Sequence, residues 1–218
     1  MNNLQQILGY DFKDKNLLKV ALTHISFAHD NNCESYERLE YVGDALADFI
    51  VGEYLYKNFD LDAGELSKYR AKLVSTSTFA SIIAQNQIDK YILTGKSVQK
   101  VSDSIRADIF ESILASIYFD GGMDKAKEFV NRMLLKSKHC VLTFVKEHID
   151  YKTTLQEKLQ SYIPQKSMRF EVISQEGKDD DKTFTVALFV DNVRVASTTG
   201  KSHKMCEQEC AKIVLSKF

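Results

Sequence analysis

The chain has 218 residues, of which 44% are hydrophobic and 27% are charged. This composition is ordinary for a globular protein, and the length allows one or two domains. The 29 basic and 30 acidic residues give a net charge of −1. That balance excludes a uniformly basic nucleic-acid-binding protein, so any affinity for nucleic acid must come from local clusters.

The sequence shows no sign of export or of a membrane span. The N-terminal residues lack a basic segment followed by an apolar run, and no stretch approaches the roughly 18 apolar residues of a transmembrane helix. The four cysteines, Cys33, Cys140, Cys206 and Cys210, form no C-x-x-C pair and show no zinc-ligand spacing. We therefore expect a cytoplasmic protein with free thiols and no membrane partner.

Helical patterns fill the chain up to about residue 147. Apolar residues recur there at spacings of three and four, as at Leu39, Val42 and Leu46. The predicted helices cover residues 16–28, 36–58, 65–74, 77–87, 105–119 and 123–146. The sequence DGG at residues 120–122 indicates a break between the last two helices. Residues 1–147 are thus expected to form an all-α domain.

The pattern changes to helix, three strands and helix after Asp150. Helices are predicted over residues 151–162 and 202–218, and β-branched or aromatic alternation predicts strands over residues 169–174, 183–190 and 193–199. Turn signals occur at Gly177 and at Asp191-Asn192. This order predicts a small α+β (α-β-β-β-α) domain over residues 151–218, with both helices on one face of an antiparallel meander. The domain boundary is expected near residues 148–150.

The second predicted helix carries an acidic stripe. Glu37, Glu40, Asp44 and Asp48 follow one another at spacings of three and four residues, which places them on one face of a helix. Like charges at this spacing destabilise a helix by roughly 0.2–0.5 kcal/mol per pair, so something must offset the repulsion. Solvent and salt could do so, and so could a divalent cation. Spacing alone favours the solvated face.

A second carboxylate pair lies in a largely apolar helix. Asp108 and Glu111 are one turn apart among Ile109, Phe110 and Ile113. Two carboxylates in such surroundings are costly unless they are paired or bind a metal. If the two acidic helices pack together, their carboxylates form an oxygen cage of the kind that suits Mg²⁺, which can activate water for phosphodiester hydrolysis.

Four segments resemble the ribonuclease III family, in the order in which they occur there. Residues 37–45, ERLEYVGDA, are similar to the family signature, which is highly specific. Residues 64–71 (GELSKYRA), 107–112 (ADIFES) and 118–122 (YFDGG) resemble three further family segments. The resemblance covers nearly the whole chain and implies a double-strand-specific endoribonuclease that acts as a homodimer, with one cleavage centre in each subunit.

The resemblance also implies roles for particular residues. The metal ligands would be Glu40, Asp44, Asp108 and Glu111, with Asp44 and Glu111 as catalytic residues and Mg²⁺ as the cofactor, for which Mn²⁺ could substitute. The products would carry 5′-phosphate and 3′-hydroxyl ends with short 3′ overhangs, and precursors of ribosomal RNA and messenger RNA would be the substrates.

Two residues of the signature would have other roles. Glu37 would place the scissile strand at the edge of the RNA-binding cleft. Tyr41 would pack at the dimer junction, and the alternative for Tyr41 is a place in the core of its own subunit.

The C-terminal domain resembles a double-stranded RNA-binding domain. The resemblance rests on residues 150–157 (DYKTTLQE), 182–186 (KTFTV) and 200–208 (GKSHKMCEQ). Such domains recognise the A-form shape, the phosphates and the 2′-hydroxyls of RNA. Five residues are expected to bind the substrate: Gln156, Gln160, Lys201, His203 and Lys204. The alternative for each lysine is an exposed solubilising charge.

The chain departs from the family at several positions. Ala63 stands where a glutamate is usual, the segment 95–108 is about four residues short, and Arg106 replaces an apolar residue. In the C-terminal domain the loop 177–182 (GKDDDK) is acidic, and His203 replaces a lysine. These changes leave open a second hypothesis, a dimeric RNA-binding protein that retains the fold but cuts poorly. His203 further suggests that RNA binding strengthens as the pH falls.

Overall fold

The computed structural model describes residues 2–138, 141, 143, 151–177 and 182–218. The chain divides into two units, Met1–Glu147 and His148–Phe218, each with its own hydrophobic core. The boundary expected near residues 148–150, Cys140 and most of the acidic loop 177–182 lie outside the described residues.

The first unit is entirely helical in its described part. Its helices are α1 (Asn2–Leu8), α2 (Lys15–Ala21), α3 (Ile25–Asn31), α4 (Glu37–Asn58), α5 (Ala63–Leu73), α6 (Thr76–Gln85), α7 (Asp103–Gly121) and α8 (Met123–Val130). A 3₁₀ turn follows α6 at Ile88–Tyr91, and a π-helical turn continues α8 through Asn131–Leu135. The expected all-α fold of this domain is confirmed.

Three of these helices begin directly after a residue whose side chain caps the N-terminus. Ser75 and Ser102 begin α6 and α7, and each accepts a hydrogen bond from a main-chain N–H of the first turn. Asp62 begins α5 as half of a capping box whose other half is Glu65.

Helix α7 lies at the centre of this unit. Ile109, Phe110 and Ile113 are fully buried in it, and the ring of Phe110 stacks on that of Phe79 at 4.3 Å between centroids. The helix also packs along α4, with Gly43 at the point of contact. The apolar faces predicted for both helices therefore meet in one core, which brings their carboxylates to the same side.

The single helix predicted over residues 16–28 is wrong, because the chain forms α2 and α3 with a break between them. At the break, the N–H of His24 donates to the carbonyl of Leu93, and the N–H of Leu93 donates to the carbonyl of Leu22. This pairing with a distant segment takes the hydrogen bonds that a continuous helix needs. The predicted helix 123–146 also differs, since it becomes π-helical after Val130 and is interrupted at Lys136, which has a φ of 47°.

The second unit has the predicted order of helix, three strands and helix. Its elements are α9 (Tyr151–Gln160), β1 (Met168–Glu176), β2 (Thr183–Val190), β3 (Val193–Gly200) and α10 (His203–Leu215). The strands form an antiparallel meander in the order β1-β2-β3. Asp191 and Asn192 both have positive φ in the turn between β2 and β3, as a two-residue hairpin of the primed type requires.

Both helices of this unit cover one face of the sheet. Leu155 and Leu159 from α9, Cys210 and Val214 from α10, and Leu188 from β2 share one core cluster. The α-β-β-β-α fold expected for this domain is thus confirmed. No helix within the described ranges of either unit is long and apolar enough to cross a bilayer.

Candidate functional site

Helices α4 and α7 approach each other closely at Gly43. A Cβ atom built on Gly43 would overlap the main-chain carbonyl group of Glu111, so no larger residue fits there without moving one of the helices. Glu40 lies one turn before Gly43 on α4. The glycine therefore permits the approach that places Glu40 beside the carboxylates of α7.

Three carboxylates meet beside this contact. Glu40, Asp108 and Glu111 each offer one oxygen atom, and these atoms lie within 4.8 Å of one another. All three residues are half-buried, and no Lys or Arg among the described residues forms an ion pair with any of them. We call these three residues the carboxylate cluster. It accounts for most of the oxygen cage that the sequence predicts.

The cluster is electrostatically unfavourable in the absence of a cation. Burial, reinforced by the charges of Asp44, Asp108 and Glu40, raises the pKa of Glu111 from 4.5 to about 8. Burial also raises the pKa of Glu40, with Asp108, Glu37 and Asp44 adding to the effect. Each carboxylate thus makes ionisation of its neighbours more costly, and a cation at their centre would relieve that cost.

The donor set fits a hard divalent cation. Mg²⁺ binds oxygen ligands at roughly 2.1 Å in octahedral geometry, so two of its ligand oxygens are about 3–4 Å apart. The separation within the carboxylate cluster is compatible with that geometry after small side-chain movements. Three carboxylates leave further positions for water, which Mg²⁺ usually retains.

Asp44 and Glu37 lie outside the cluster. Asp44 is exposed and is not among the residues whose oxygens come within that distance, although its charge acts on both Glu40 and Glu111. Glu37 is exposed and accepts a hydrogen bond of 3.0 Å from the hydroxyl of Ser35. Both carboxylates are therefore open to water and to a large ligand.

The fourth residue of the acidic stripe has a protein partner. Asp48 lies 3.4 Å from the guanidinium of Arg70 on α5. Its charge is offset by an arginine that is distant in sequence, and it takes no part in the carboxylate cluster.

Tyr36 and His24, which the sequence analysis did not identify as site residues, lie close to Asp108. The hydroxyl of Tyr36 donates a 2.9 Å hydrogen bond to Oδ2 of Asp108. Burial raises the pKa of Asp108, while this hydrogen bond and the nearby His24 lower it. The spacing of four residues between Tyr36 and Glu40 is the one sequence signal that could have indicated this contact.

The structure shows where the residues lie at which the sequence was expected to depart from the family that it resembles. Ala63 is the first residue of α5, and the carboxylate of Glu65 is engaged with the N–H of Asp62 in the capping box, so Glu65 does not replace the missing glutamate. Arg106 donates hydrogen bonds to Asp89 and Asp103, which ties the start of α7 to the 3₁₀ turn. The arginine therefore stabilises the shortened segment through ion pairs.

Tyr41 is on the surface of the first unit. Its side chain is 81% exposed, which excludes the alternative that it belongs to the core of its own subunit. The next residue, Val42, lines a cavity of about 490 Å³. Its lining is part apolar, with Leu17 and Phe119, and part charged, with Glu37 and Arg38. The exposed ring of Tyr41 is thus available for contact with another molecule.

The five residues expected to bind RNA are all exposed in the second unit. Gln156 and Gln160 lie one turn apart on α9, and both line a cavity of about 620 Å³ together with Lys166 and Arg169. Lys201 precedes α10, and His203 and Lys204 lie in its first turn. The imidazole of His203 packs edge-on against Phe184, with 4.2 Å between ring centroids.

Comparisons with known proteins assign both units. Residues 14–138 match the family described as ribonuclease-III-like, and residues 151–217 match the double-stranded RNA binding motif. The chain is thus a helical ribonuclease-III-like domain followed by a double-stranded RNA-binding domain.

Full-length relatives lead to the same family. Ribonuclease 3 of Caldanaerobacter subterraneus is 39% identical over 225 residues, which cover 99% of this chain and 96% of that protein. Ribonuclease 3 of Campylobacter jejuni serotype O:2 is 39% identical over 223 residues, which cover 100% and 97%. The chain belongs to the ribonuclease III family, which confirms the assignment drawn from its motifs and with it the class of enzyme, a ribonuclease.

A solved structure resembles the first unit. The nuclease domain of ribonuclease III from Campylobacter jejuni, whose structural flexibility was described in a region involved in dimer formation, is 40% identical and superposes with a TM-score of 0.58. The match covers 62% of this chain and 96% of that one.

Proposed function

We propose that this protein cleaves both strands of an RNA duplex by Mg²⁺-assisted hydrolysis, giving 5′-phosphate and 3′-hydroxyl ends with short 3′ overhangs. The coarser statement is already established by the family: the chain is a ribonuclease III endoribonuclease that acts on double-stranded RNA. The observation that carries the proposal is the carboxylate cluster, in which Glu40, Asp108 and Glu111 converge without an ion pair to a Lys or Arg of the described residues.

In the proposed mechanism, Glu40, Asp108 and Glu111 are metal ligands that face a phosphodiester of the bound duplex. The cation would supply an activated water and stabilise the leaving 3′ oxygen. Asp44 is also proposed as a ligand and catalytic residue, and its exposed carboxylate, close enough to act on Glu40 and Glu111, can accept a proton from water. Glu37 at the rim is proposed to position the scissile strand. Mn²⁺ could substitute, because it also accepts carboxylate and water ligands.

A homodimer is part of the proposal. The exposed ring of Tyr41 and the partly apolar cavity lined by Val42 lie on the same subunit, and we propose that a twofold axis pairs each ring with the partner's cavity. Such self-complementary contacts are typical of isologous interfaces. The two carboxylate clusters of the dimer would then each cut one strand, which would give the proposed staggered ends.

The second unit is proposed to supply affinity for A-form RNA. Gln156 and Gln160 can bond 2′-hydroxyls, while Lys201, His203 and Lys204 lie at the start of α10, where the helix dipole and free N–H groups favour phosphate. Because double-stranded RNA-binding domains recognise mainly the shape and backbone of A-form RNA, shape is the expected criterion. Precursors of ribosomal RNA and messenger RNA in the cytoplasm are the proposed substrates.

The proposal is tested by incubating the protein with a long uniform RNA duplex and Mg²⁺, EDTA or Ca²⁺ in place of Mg²⁺. Cleavage with Mg²⁺ alone, into fragments with short 3′ overhangs, is the expected result. A folded dimer that binds the duplex but leaves it intact in Mg²⁺ would contradict the proposal. That outcome would favour the binding protein suggested by Ala63 and by the shortened segment before α7.

A further inference from the structure

Tyr36 is the last residue before α4 and lies beside the carboxylate cluster. Its side chain is only 3% exposed, and its hydroxyl donates a 2.9 Å hydrogen bond to Oδ2 of Asp108. The two residues are 72 positions apart in sequence. This hydrogen bond therefore joins the start of α4 to α7 at one member of the cluster.

The main chain around Tyr36 is fixed on both sides. Its N–H donates to the carbonyl of Thr23 at 2.9 Å, and its own carbonyl accepts from the N–H groups of Leu39 and Glu40 at 2.8 and 2.9 Å. Its ring lies 5.8 Å from that of His24. These contacts fix the position of Tyr36, so its hydroxyl restricts the orientation of the Asp108 carboxylate.

We infer that Tyr36 is a positioning residue that orients the Asp108 carboxylate for metal binding, by occupying Oδ2 and leaving Oδ1 for the ion. The inference rests on the proposed function, because it takes Asp108 as a metal ligand. Carboxylates that bind metals are commonly fixed by a second hydrogen bond, and losing such a partner usually weakens metal binding about 10–100-fold.

A neutral donor is suited to this task. A lysine or arginine at the same place would form an ion pair with Asp108 and would compete with the metal for it. A tyrosine hydroxyl has an ordinary pKa of about 10, so at neutral pH it donates a hydrogen bond and adds no charge. The carboxylate therefore keeps its full charge for the cation.

The chain contains a matched control for the loss of this hydrogen bond. The hydroxyl of Tyr10 donates to Oδ2 of Asp120 at 2.7 Å, and Asp120 also accepts from the N–H groups of Lys13 and Asp14. Neither Tyr10 nor Asp120 belongs to the carboxylate cluster. Tyr10→Phe and Tyr36→Phe thus remove the same kind of tyrosine–aspartate bond, but only one of the bonds reaches a proposed ligand.

The test is a titration of the full-length, metal-free protein with Mn²⁺ and with Mg²⁺, without RNA, following the melting temperature. The apparent dissociation constant should rise at least about tenfold in Tyr36→Phe and stay at the parental value in Tyr10→Phe. Cleavage by Tyr36→Phe should be weak at low Mg²⁺ and recover as Mg²⁺ is raised, whereas a purely structural defect would not respond to the metal. Parental titration curves for Tyr36→Phe would overturn the inference.

The result for the parent protein separates this inference from the proposed function. If the parent shows neither a metal-dependent shift nor cleavage, the metal site itself is wrong. If the parent responds and Tyr36→Phe responds equally, only the role of Tyr36 is wrong. A crystal structure of the parent with Mn²⁺ decides the matter even if the variant does not fold: the Tyr36 hydroxyl should remain on Oδ2 while Oδ1 contacts the ion, and a hydroxyl turned away from Asp108 would contradict the inference.

Discussion

Helix α4 carries two kinds of carboxylate, and the difference between them marks the site. Glu53, on the distal half of the helix, forms ion pairs with Lys57 and Lys127, which lower its pKa. Glu40, at the other end, has Asp108 and Glu111 beside it, and its pKa is raised. The charge of Glu53 is balanced by lysines of the protein itself. The charge of Glu40 is surrounded by other carboxylates, so a cation from solution would stabilise it.

This contrast shows why an acidic stripe alone is a weak indicator of a metal site. Asp48 belongs to the same stripe as Glu40, yet it pairs with Arg70. What distinguishes Glu40 is the close approach of α7 at Gly43, which adds two more carboxylates in a half-buried place. The informative features are therefore the convergence of carboxylates from two helices and the lack of an ion pair to a Lys or Arg within the described residues.

The largest effect should come from Glu111→Gln, which removes one charge from the cluster while keeping its shape. Cleavage of a uniform duplex should fall by more than the roughly 10–100-fold that loss of a residue behind a metal ligand costs. RNA binding by the same variant should remain near the parental level, because the second unit is untouched. Glu128→Gln, which affects an exposed ion pair with Lys125, is the matched control. Parental cleavage by Glu111→Gln would remove this residue from the site.

Gly43→Ala should be the most damaging change outside the charged groups. The added Cβ would overlap the main chain of Glu111, and overpacking of this kind costs roughly 1–3 kcal/mol of stability. Gly52→Ala on the same helix meets only Arg70 Cδ at 3.7 Å and should be stabilising by up to about 1 kcal/mol. Denaturant unfolding of both variants measures the difference. Equal stabilities would mean that α4 and α7 are not in close contact at Gly43.

Tyr41→Ala should weaken the proposed dimer, because it removes the exposed ring that would fill the partner's cavity. Truncating a central aromatic at an interface typically costs about 2 kcal/mol or more of binding free energy, which is roughly a 30-fold increase in the dimer dissociation constant. Tyr41→Phe keeps the ring and should behave as the parent. Sedimentation velocity over a range of concentrations distinguishes the variants. Unchanged association by Tyr41→Ala would place the interface elsewhere.

The raised pKa of Glu111 should appear as a pH-dependent stability of the metal-free protein. Because the folded state holds the Glu111 proton up to about pH 8 and the unfolded state releases it near pH 4.5, stability from this group is present at low pH and is lost as the pH rises through 8. In EDTA, Glu111→Gln should therefore match the parent near pH 5 and melt at a higher temperature than the parent at pH 8.5.

Saturating Mg²⁺ should reverse that order at pH 8.5. A metal that binds one site of the folded parent stabilises it by about 2.7 kcal/mol at 100 times its dissociation constant, and the variant should gain much less. Calorimetric melting at the two pH values provides the measurement. The opposite trend in EDTA, in which the melting temperature of the parent rises relative to that of Glu111→Gln as the pH increases, would contradict a raised pKa of Glu111.

The smallest effect concerns the second unit. Lys204→Ala should lower the salt dependence of RNA binding by about one unit of slope, because one phosphate contact is lost. Lys212→Ala in the last turn of α10, where the side chain lies 3.6 Å from Glu209, should leave the slope unchanged. His203→Ala and the parent, compared at pH 6 and pH 8, test whether the imidazole contributes. Identical affinities at both pH values would exclude that contribution.

The sequence predicted the fold class well because its signals are local. Periodicity and turn residues lie within each element. The break between α7 and α8 falls at Gly122, within the predicted residues 120–122, and the hairpin is at Asp191-Asn192 as predicted. The break between α2 and α3 could not be predicted, since it depends on hydrogen bonds between His24 and Leu93. The contact of Tyr36 with Asp108 is equally non-local.

The site was only partly predictable for a geometric reason. Residues four apart on a helix differ by about 40° in direction, so a stripe of carboxylates drifts around the axis. Glu40 consequently faces α7, while Asp44 is exposed and Asp48 reaches Arg70. Which of them face the partner helix depends on where α7 packs, and that in turn depends on Gly43. The roles of Asp44 and Glu37 remain predictions.

The central claim is that Glu40, Asp108 and Glu111 form one binding site for a divalent cation. Calorimetric titration of the metal-free, full-length protein with Mg²⁺ at pH 7.0, in two buffers of different ionisation enthalpy, tests it most directly, because it measures both binding and proton release. The account predicts that the parent binds Mg²⁺ with release of protons, and that Glu111→Gln binds more weakly and releases fewer. Binding that is unchanged in Glu111→Gln, or the absence of any binding by the parent, would contradict it.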